Sequence, residues 1–148
     1  MKRLLLLLLL ALTACGVRPS VAIEGGPAPT EEVTERTVLY FLAGATLTRV
    51  LRPPVQENPL ELLAKGPTPE ELAEGLTTEI PPYASPITVA VGENGITVRI
   101  SSLLKYLSPL AQSQLVCTAV PPGRIATAQV ILSDPEETLP PKRCPFEA

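Results

Sequence analysis

Apolar and polar positions change rhythm several times along the chain. Leu4 to Leu12 is an unbroken apolar run of nine residues, and between Gly16 and Arg36 no period is sustained. From Thr37 the pattern becomes strand-like. Thr37-Val38-Leu39-Tyr40-Phe41-Leu42 is β-branched and aromatic, Gly44 and Ala45 supply a turn, and Thr46 to Leu51 predicts a second strand stopped by Pro53-Pro54. Two further segments, Ile87 to Val91 and Ile96 to Ile100, alternate apolar with smaller or polar residues around Gly92-Glu93-Asn94-Gly95. They predict a hairpin with one buried face, turning at Asn94-Gly95 with positive φ. Ile125 to Leu132 predicts a last strand.

Helices are signalled by one device used three times. Asn58-Pro59-Leu60-Glu61, Thr68-Pro69-Glu70-Glu71 and Ser108-Pro109-Leu110-Ala111 each place an N-cap side chain before a proline at the first helical position. Glu61 and Glu71 at the third position predict a capping box or its Asn analogue. The first helix should end at Gly66, and the second should carry Leu72, Ala73 and Leu76 before Pro81-Pro82. The third should run to about Val120, with Ala111, Leu115 and Ala119 as a narrow stripe facing a sheet. The expected order is ββααββαβ: an α+β fold of one small domain, a mixed or antiparallel sheet with helices packed on one face.

Composition narrows the chemistry. The 148 residues include 18 prolines, favouring short elements, and aromatics are only 3%, so the core must be aliphatic. There is no histidine, and Asp134 is the only aspartate. Ser-His-Asp and Cys-His catalysis, His-ligated zinc and paired-aspartate metal sites are thereby excluded. No cofactor or metal is expected. Residues 37–134 hold six basic against eight acidic side chains with no basic run, which argues against nucleic acid.

The N-terminal run has a secretory layout: Met1-Lys2-Arg3, the apolar stretch, then Thr13-Ala14-Cys15-Gly16. As a helix it would reach roughly 14 Å, less than half of a ~30 Å hydrocarbon core, so a retained span is not expected. Leu12-Thr13-Ala14-Cys15 has the order of a bacterial lipobox, in which the cysteine thiol is acylated before cleavage. Residues 1–14 are expected to be a lipoprotein signal peptide, with Cys15 the lipid attachment and residues 15–36 a flexible tether. The folded domain is expected over 37–134, and a proline-rich tail over 135–148. Two or three acyl chains anchor stably where one does not, since each buried CH₂ contributes about 0.8 kcal/mol.

Once Cys15 is acylated, Cys117 and Cys144 are the remaining thiols in an oxidising compartment, and a disulfide between them is expected. The alternative leaves Cys117 a buried free thiol. CxxC spacing is absent, which disfavours a redox pair. Glu70, Glu71 and Glu74, with Ser101 or Ser102, are the available candidates for hydrolase chemistry, but glutamates at a helix start read as partners of the dipole and a solvated face. Tyr40, Phe41, Tyr83 and Tyr106 offer no cluster to stack a sugar. Arg49, Arg52 and Arg99 read as strand-edge solubilisers.

A set of segments carries a family resemblance: Tyr40-Phe41-Leu42, Leu51-Arg52-Pro53, Leu62-Leu63-Ala64-Lys65-Gly66-Pro67-Thr68-Pro69-Glu70-Glu71, Gly75-Leu76-Thr77-Thr78, Ile80-Pro81, the hairpin, and Gln114-Leu115-Val116-Cys117-Thr118. Together, over about residues 37 to 133, they resemble the GerMN domain, known from a spore germination protein and from actinobacterial lipoproteins including the LpqB type. The most specific piece, Gly66-Pro67-Thr68-Pro69-Glu70-Glu71, is physically a helix C-cap, a proline-fixed turn and a new N-cap. The resemblance implies an architecture similar to ring-building motifs of envelope assemblies and no enzyme activity. The expected function is that of an extracytoplasmic lipoprotein held to the membrane through Cys15, at the outer face of the cytoplasmic membrane or in the outer membrane of a Gram-negative cell. It would bind an envelope protein partner in a complex or signalling assembly related to sporulation, germination or the cell envelope. A homo-oligomer is left open, and the alternative is a binding protein for a small envelope ligand.

Overall fold

The computed structural model describes residues 36–92 and 95–145. The expected signal peptide, Cys15, the expected tether up to residue 35 and Asn94 of the expected hairpin turn lie outside the described residues.

The expected α+β class is present, but with two three-stranded sheets where one was expected. The first has β1 (Thr37–Ala43) at its centre, antiparallel to β2 (Thr46–Arg52) on one side and to β3 (Leu76–Thr77) on the other. Gly44, at φ 61°, takes the first central position of the two-residue β1–β2 turn, where a type II′ geometry needs glycine. The second sheet has the order β4 (Thr88–Gly92), β5 (Gly95–Arg99), β6 (Val130–Ser133). β4 and β5 are antiparallel and β5 and β6 parallel, so the chain must cross over between the last two, and the crossover carries a helix.

All three helices begin at the expected caps: α1 (Pro59–Lys65), α2 (Pro69–Ala73) and α3 (Pro109–Ala119). Asn58 Oδ1 accepts from the Leu60 N–H at 3.0 Å, and Ser108 Oγ from the Ala111 N–H at 3.0 Å. Thr68 and Glu71 form a reciprocal capping box. Glu61 does not fold back on its own cap. Its carboxylate instead accepts from Ser85 Oγ at 2.7 Å and from the Ile87 N–H, tying α1 to the segment that enters β4.

Three boundaries differ from the sequence expectation. α2 stops at Ala73 and Gly75 turns at φ 87°, so Leu76 leaves the helix and pairs with Ala43 as part of β3, while Leu72 is exposed. The last strand begins at Val130, because residues 124–128 close turns in which Thr127 and Ala128 both donate to the Arg124 carbonyl. The hairpin ladder runs as far as Gly92 opposite Gly95, which places Gly95 inside β5.

One core joins both sheets. Leu39 and Phe41 of β1, Leu60 and Leu63 of α1, Leu115 and Val116 of α3, and Val98 and Leu132 of the second sheet are all buried in it. The buried side of α3 is wider than the expected stripe, taking in Ala111 and Gln114 to Thr118. The helix therefore packs against β1 on one flank and against β5 and β6 on the other.

Candidate interaction surface

Of the glutamates weighed for chemistry, Glu71 is committed elsewhere, while Glu70 and Glu74 stand exposed. Arg52 Nε and a terminal nitrogen donate to the two carboxylate oxygens of Glu71 at 3.0 and 2.5 Å, and the same guanidinium donates to the Gly66 carbonyl at 3.3 Å. It also lies 5.2 Å from the centre of the Phe41 ring. Arg52 is thus a part-buried clamp between β2 and α2, where an edge solubiliser was expected, and Glu71 faces it instead of solvent. That hydrogen bond holds the Glu71 pKa below the ordinary carboxylate value, against the opposing effect of burial. The Glu70 pKa is lowered by its own backbone N–H and by Thr68.

Ser101 is exposed and its hydroxyl donates to the Pro86 carbonyl at 3.1 Å, whereas Ser102 Oγ is buried without a partner. Among the described residues no hydrogen bond joins either serine to Glu70, Glu71 or Glu74. No group of three or more acidic or cysteine side chains could hold a metal ion there, and no helix is long and apolar enough to cross a membrane. Tyr40 and Phe41 belong to the core, while Tyr83 and Tyr106 stand exposed. A cavity of about 310 Å³ runs between the start of β1 and the end of α3, and no aromatic ring lines it.

Sheet edges are the feature that the fold treats unevenly. Beyond the short β3, the Tyr40 N–H donates to Thr118 Oγ1 at 3.0 Å and the Tyr40 carbonyl accepts from Gln114 Nε2 at 3.0 Å, so α3 stands in for a missing strand. The free side of β6 is covered by the tail. Val130 and Lys142 exchange two backbone bonds of 2.8 Å, and Leu139 donates to the Leu132 carbonyl at 2.9 Å. Cys117 in α3 and Cys144 are joined by a disulfide with Cα atoms 4.7 Å apart, which ties this covering tail to the helix. Asp134 turns the chain into the tail. Its carboxylate accepts from the backbone N–H groups of Leu104, Glu136 and Glu137 at 2.5, 2.6 and 2.7 Å. Burial, the largest single influence, raises the Asp134 pKa, but those three donors and nearby Lys105 outweigh it and the net shift is downward.

β2 forms an outer edge that carries the exposed Arg49, a charge that discourages foreign strands. Arg99, expected at an edge, is in the central strand β5. β4 is the other outer edge, Thr88-Val89-Ala90-Val91-Gly92, with no charged residue and every position exposed. Ile96 and Ile100 of β5 donate toward the β6 side, so by alternation Thr97 and Arg99 bond to Ala90 and Thr88. The N–H and C=O groups of Val89 and Val91 therefore point out of the sheet.

The preceding outward residue, Ile87, is capped. Its N–H goes to Glu61 and its carbonyl accepts from Asn58 Nδ2 at 2.8 Å. Among the described residues no hydrogen bond reaches the outward groups of Val89 and Val91. Their side chains share the face of Ile87, Ile96 and Val98, which are buried, yet Val89 is 39% and Val91 73% exposed. The covering layer stops one strand short. The expectation that the hairpin buries one whole face thus holds for β5 and fails for β4. Neither a family model, nor a curated protein, nor a solved structure matches this chain.

Proposed function

We propose that this chain is an extracytoplasmic lipoprotein, anchored through Cys15, whose GerMN-like domain binds protein partners in an envelope complex or signalling assembly. One observation carries the reading: the uncharged β4 edge is left unpaired with two exposed valines, while among the described residues no hydrogen bond joins the candidate glutamates to the candidate serines. Supporting it are the lipobox order ahead of the domain, the covering of two sheet borders by helix side chains and tail, and the exposed Arg49 on the third, β2. A domain tethered to a membrane also gains effective concentration toward partners on the same surface, so a modest contact area suffices.

The test has two parts. Mass spectrometry of the membrane fraction should find an acylated N-terminal Cys15, and Cys15→Ser should release the protein from membranes; unchanged retention of that variant sinks the anchor. The released domain should turn over no esterase, glycosidase or peptidase substrate. Turnover abolished by Glu70→Gln, Glu71→Gln or Ser101→Ala would overturn the binding role.

A further inference from the structure

We infer that β4 is a self-pairing edge: two copies of this chain join antiparallel through Val89, Ala90 and Val91 to make one six-stranded sheet. This deepens the interaction-module reading, on which it rests, by naming a second copy of the chain as the partner at this edge.

The register follows from which backbone groups are free. In an antiparallel pair, residues facing each other alternate between those that exchange two hydrogen bonds and those that exchange none. Val89 and Val91 each present one outward N–H and one outward C=O, and Ala90 between them bonds inward to Thr97. A two-fold axis beside Ala90 therefore sets Val89 against Val91 of the other copy, and Val91 against Val89. Every free group on both strands finds a partner in four hydrogen bonds. Shifting the register by two residues would bring Ile87 into the pairing, where Glu61 and Asn58 already occupy both of its groups.

Side chains agree with this geometry. The non-bonded position, where Cα atoms approach to about 4.5 Å, falls on Ala90, whose small side chain fits that approach. On the other face each exposed valine gains a valine opposite, continuing the apolar layer of Ile96 and Val98. Charge is complementary at the ends. Arg124 lines the hollow beside Val91 and Ile96 at one end of β4 and makes no ion pair among the described residues, while Glu61 is bonded at Ile87 at the other end. Antiparallel pairing sets each end against the opposite end of the second copy, so Arg124 approaches the side of Glu61. β2, with Arg49 on its edge, would set like charges near each other in the same arrangement.

The experiment is disulfide trapping in membranes of cells making the full chain, with the chain lacking an added cysteine as background. Ala90→Cys should give a covalent dimer at least about five-fold above Thr88→Cys, since Thr88 shares the strand, the face and the exposure but would lie beyond the ~7 Å Cα limit from its own copy. Adding Val91→Lys, at a position 73% exposed and so tolerant in the monomer, should abolish the Ala90→Cys band. Equal bands for the two cysteines, no band above background, or a band that survives Val91→Lys would overturn self-pairing. If Ala90→Cys is instead trapped on a different protein, self-pairing fails while the interaction role of the domain stands; if the anchor and partner tests fail as well, both readings fall.

Discussion

Gln114 in α3 and Tyr40 in β1, 74 residues apart, are bonded side chain to backbone: Gln114 Nε2 donates to the Tyr40 carbonyl at 3.0 Å. The same side chain accepts from the Glu79 N–H at 2.9 Å through Oε1, and it is fully buried. Thr118, one turn further on, takes the Tyr40 N–H. Two helix side chains thus satisfy a strand residue that β3 is too short to reach, since β3 pairs only with Leu42 and Ala43.

Replacing Gln114 by Leu keeps volume but takes this side-chain partner from the buried Tyr40 carbonyl and from the part-buried Glu79 N–H. At about 1 to 3 kcal/mol per orphaned group, the loss should be about 2 to 4 kcal/mol. Thr118→Val orphans one group and should cost about half as much, whereas Ser113→Ala on the outer side of α3 should stay within about 0.5 kcal/mol. Urea denaturation of the three variants checks the ranking. A Gln114→Leu protein as stable as the parent would show that water reaches Tyr40.

Acid should loosen the carboxylate ties in a defined direction. The pKa values of Glu71 and Asp134 are lowered in the folded protein. Each therefore contributes stability that is complete above its unfolded value of about 4 and is lost as pH falls through the lower folded value. The denaturation midpoint should be flat from pH 7 to about 5 and then fall. Asp134→Asn should lower stability at neutral pH, because one amide oxygen cannot serve three N–H donors, and should flatten the acid limb. A midpoint that rises on acidification would contradict the assigned directions.

Two glycines with positive φ separate backbone strain from close approach. Gly95 has φ 119°, and a Cβ there would sit 2.7 Å from the Gln129 carbonyl oxygen, the atom that accepts from Ile96. Gly44 has φ 61° with open space around it. Gly44→Ala should cost about 1 kcal/mol, while Gly95→Ala adds displacement of β6 and should cost about 2 to 3 kcal/mol. Thermal unfolding of the pair should show the larger drop for Gly95→Ala, and equal drops would mean that the β5–β6 contact yields freely.

What could be read in advance divides along physical lines. The caps at Asn58, Thr68 and Ser108 were legible because a cap bonds within three residues of itself. The strands around Leu39 and Val98 were legible from composition and alternation. The separation into two sheets was not, because Leu76-Thr77 is too short to carry a period and becomes a strand only against Leu42 and Ala43. Arg52 and Glu71 are 19 residues apart, so their pairing is a product of packing β2 against α2. Gln114 reads locally as a surface residue of a helix. Val89 and Val91 have the same alternation as Ile96 and Val98, and the difference in burial depends on where the covering layer stops, which no local pattern records. The open edge was hidden for that reason.

The tail supplies the last test. It closes the free side of β6 through Val130, Leu132 and Lys142, and the bond from Cys144 to Cys117 holds it to the buried end of α3. The cysteines are 27 residues apart in sequence. Closing a loop of that length restricts the unfolded chain by roughly 3 to 4 kcal/mol on the chain-entropy model. Two alkylatable thiols in native exported protein would contradict the bond, and non-reducing peptide mapping should recover Cys117 and Cys144 on one linked pair. Reduction should do more than lower the denaturation midpoint: with the tail released, the Val130 N–H loses its acceptor, and its hydrogen exchange should accelerate along with that of Leu139 and Lys142. Val98, inside the sheet between β4 and β6, should keep its protection. Uniform acceleration across both sheets would instead mean that the bond stabilises the domain as a whole and that the tail has no separate part in covering the β6 edge.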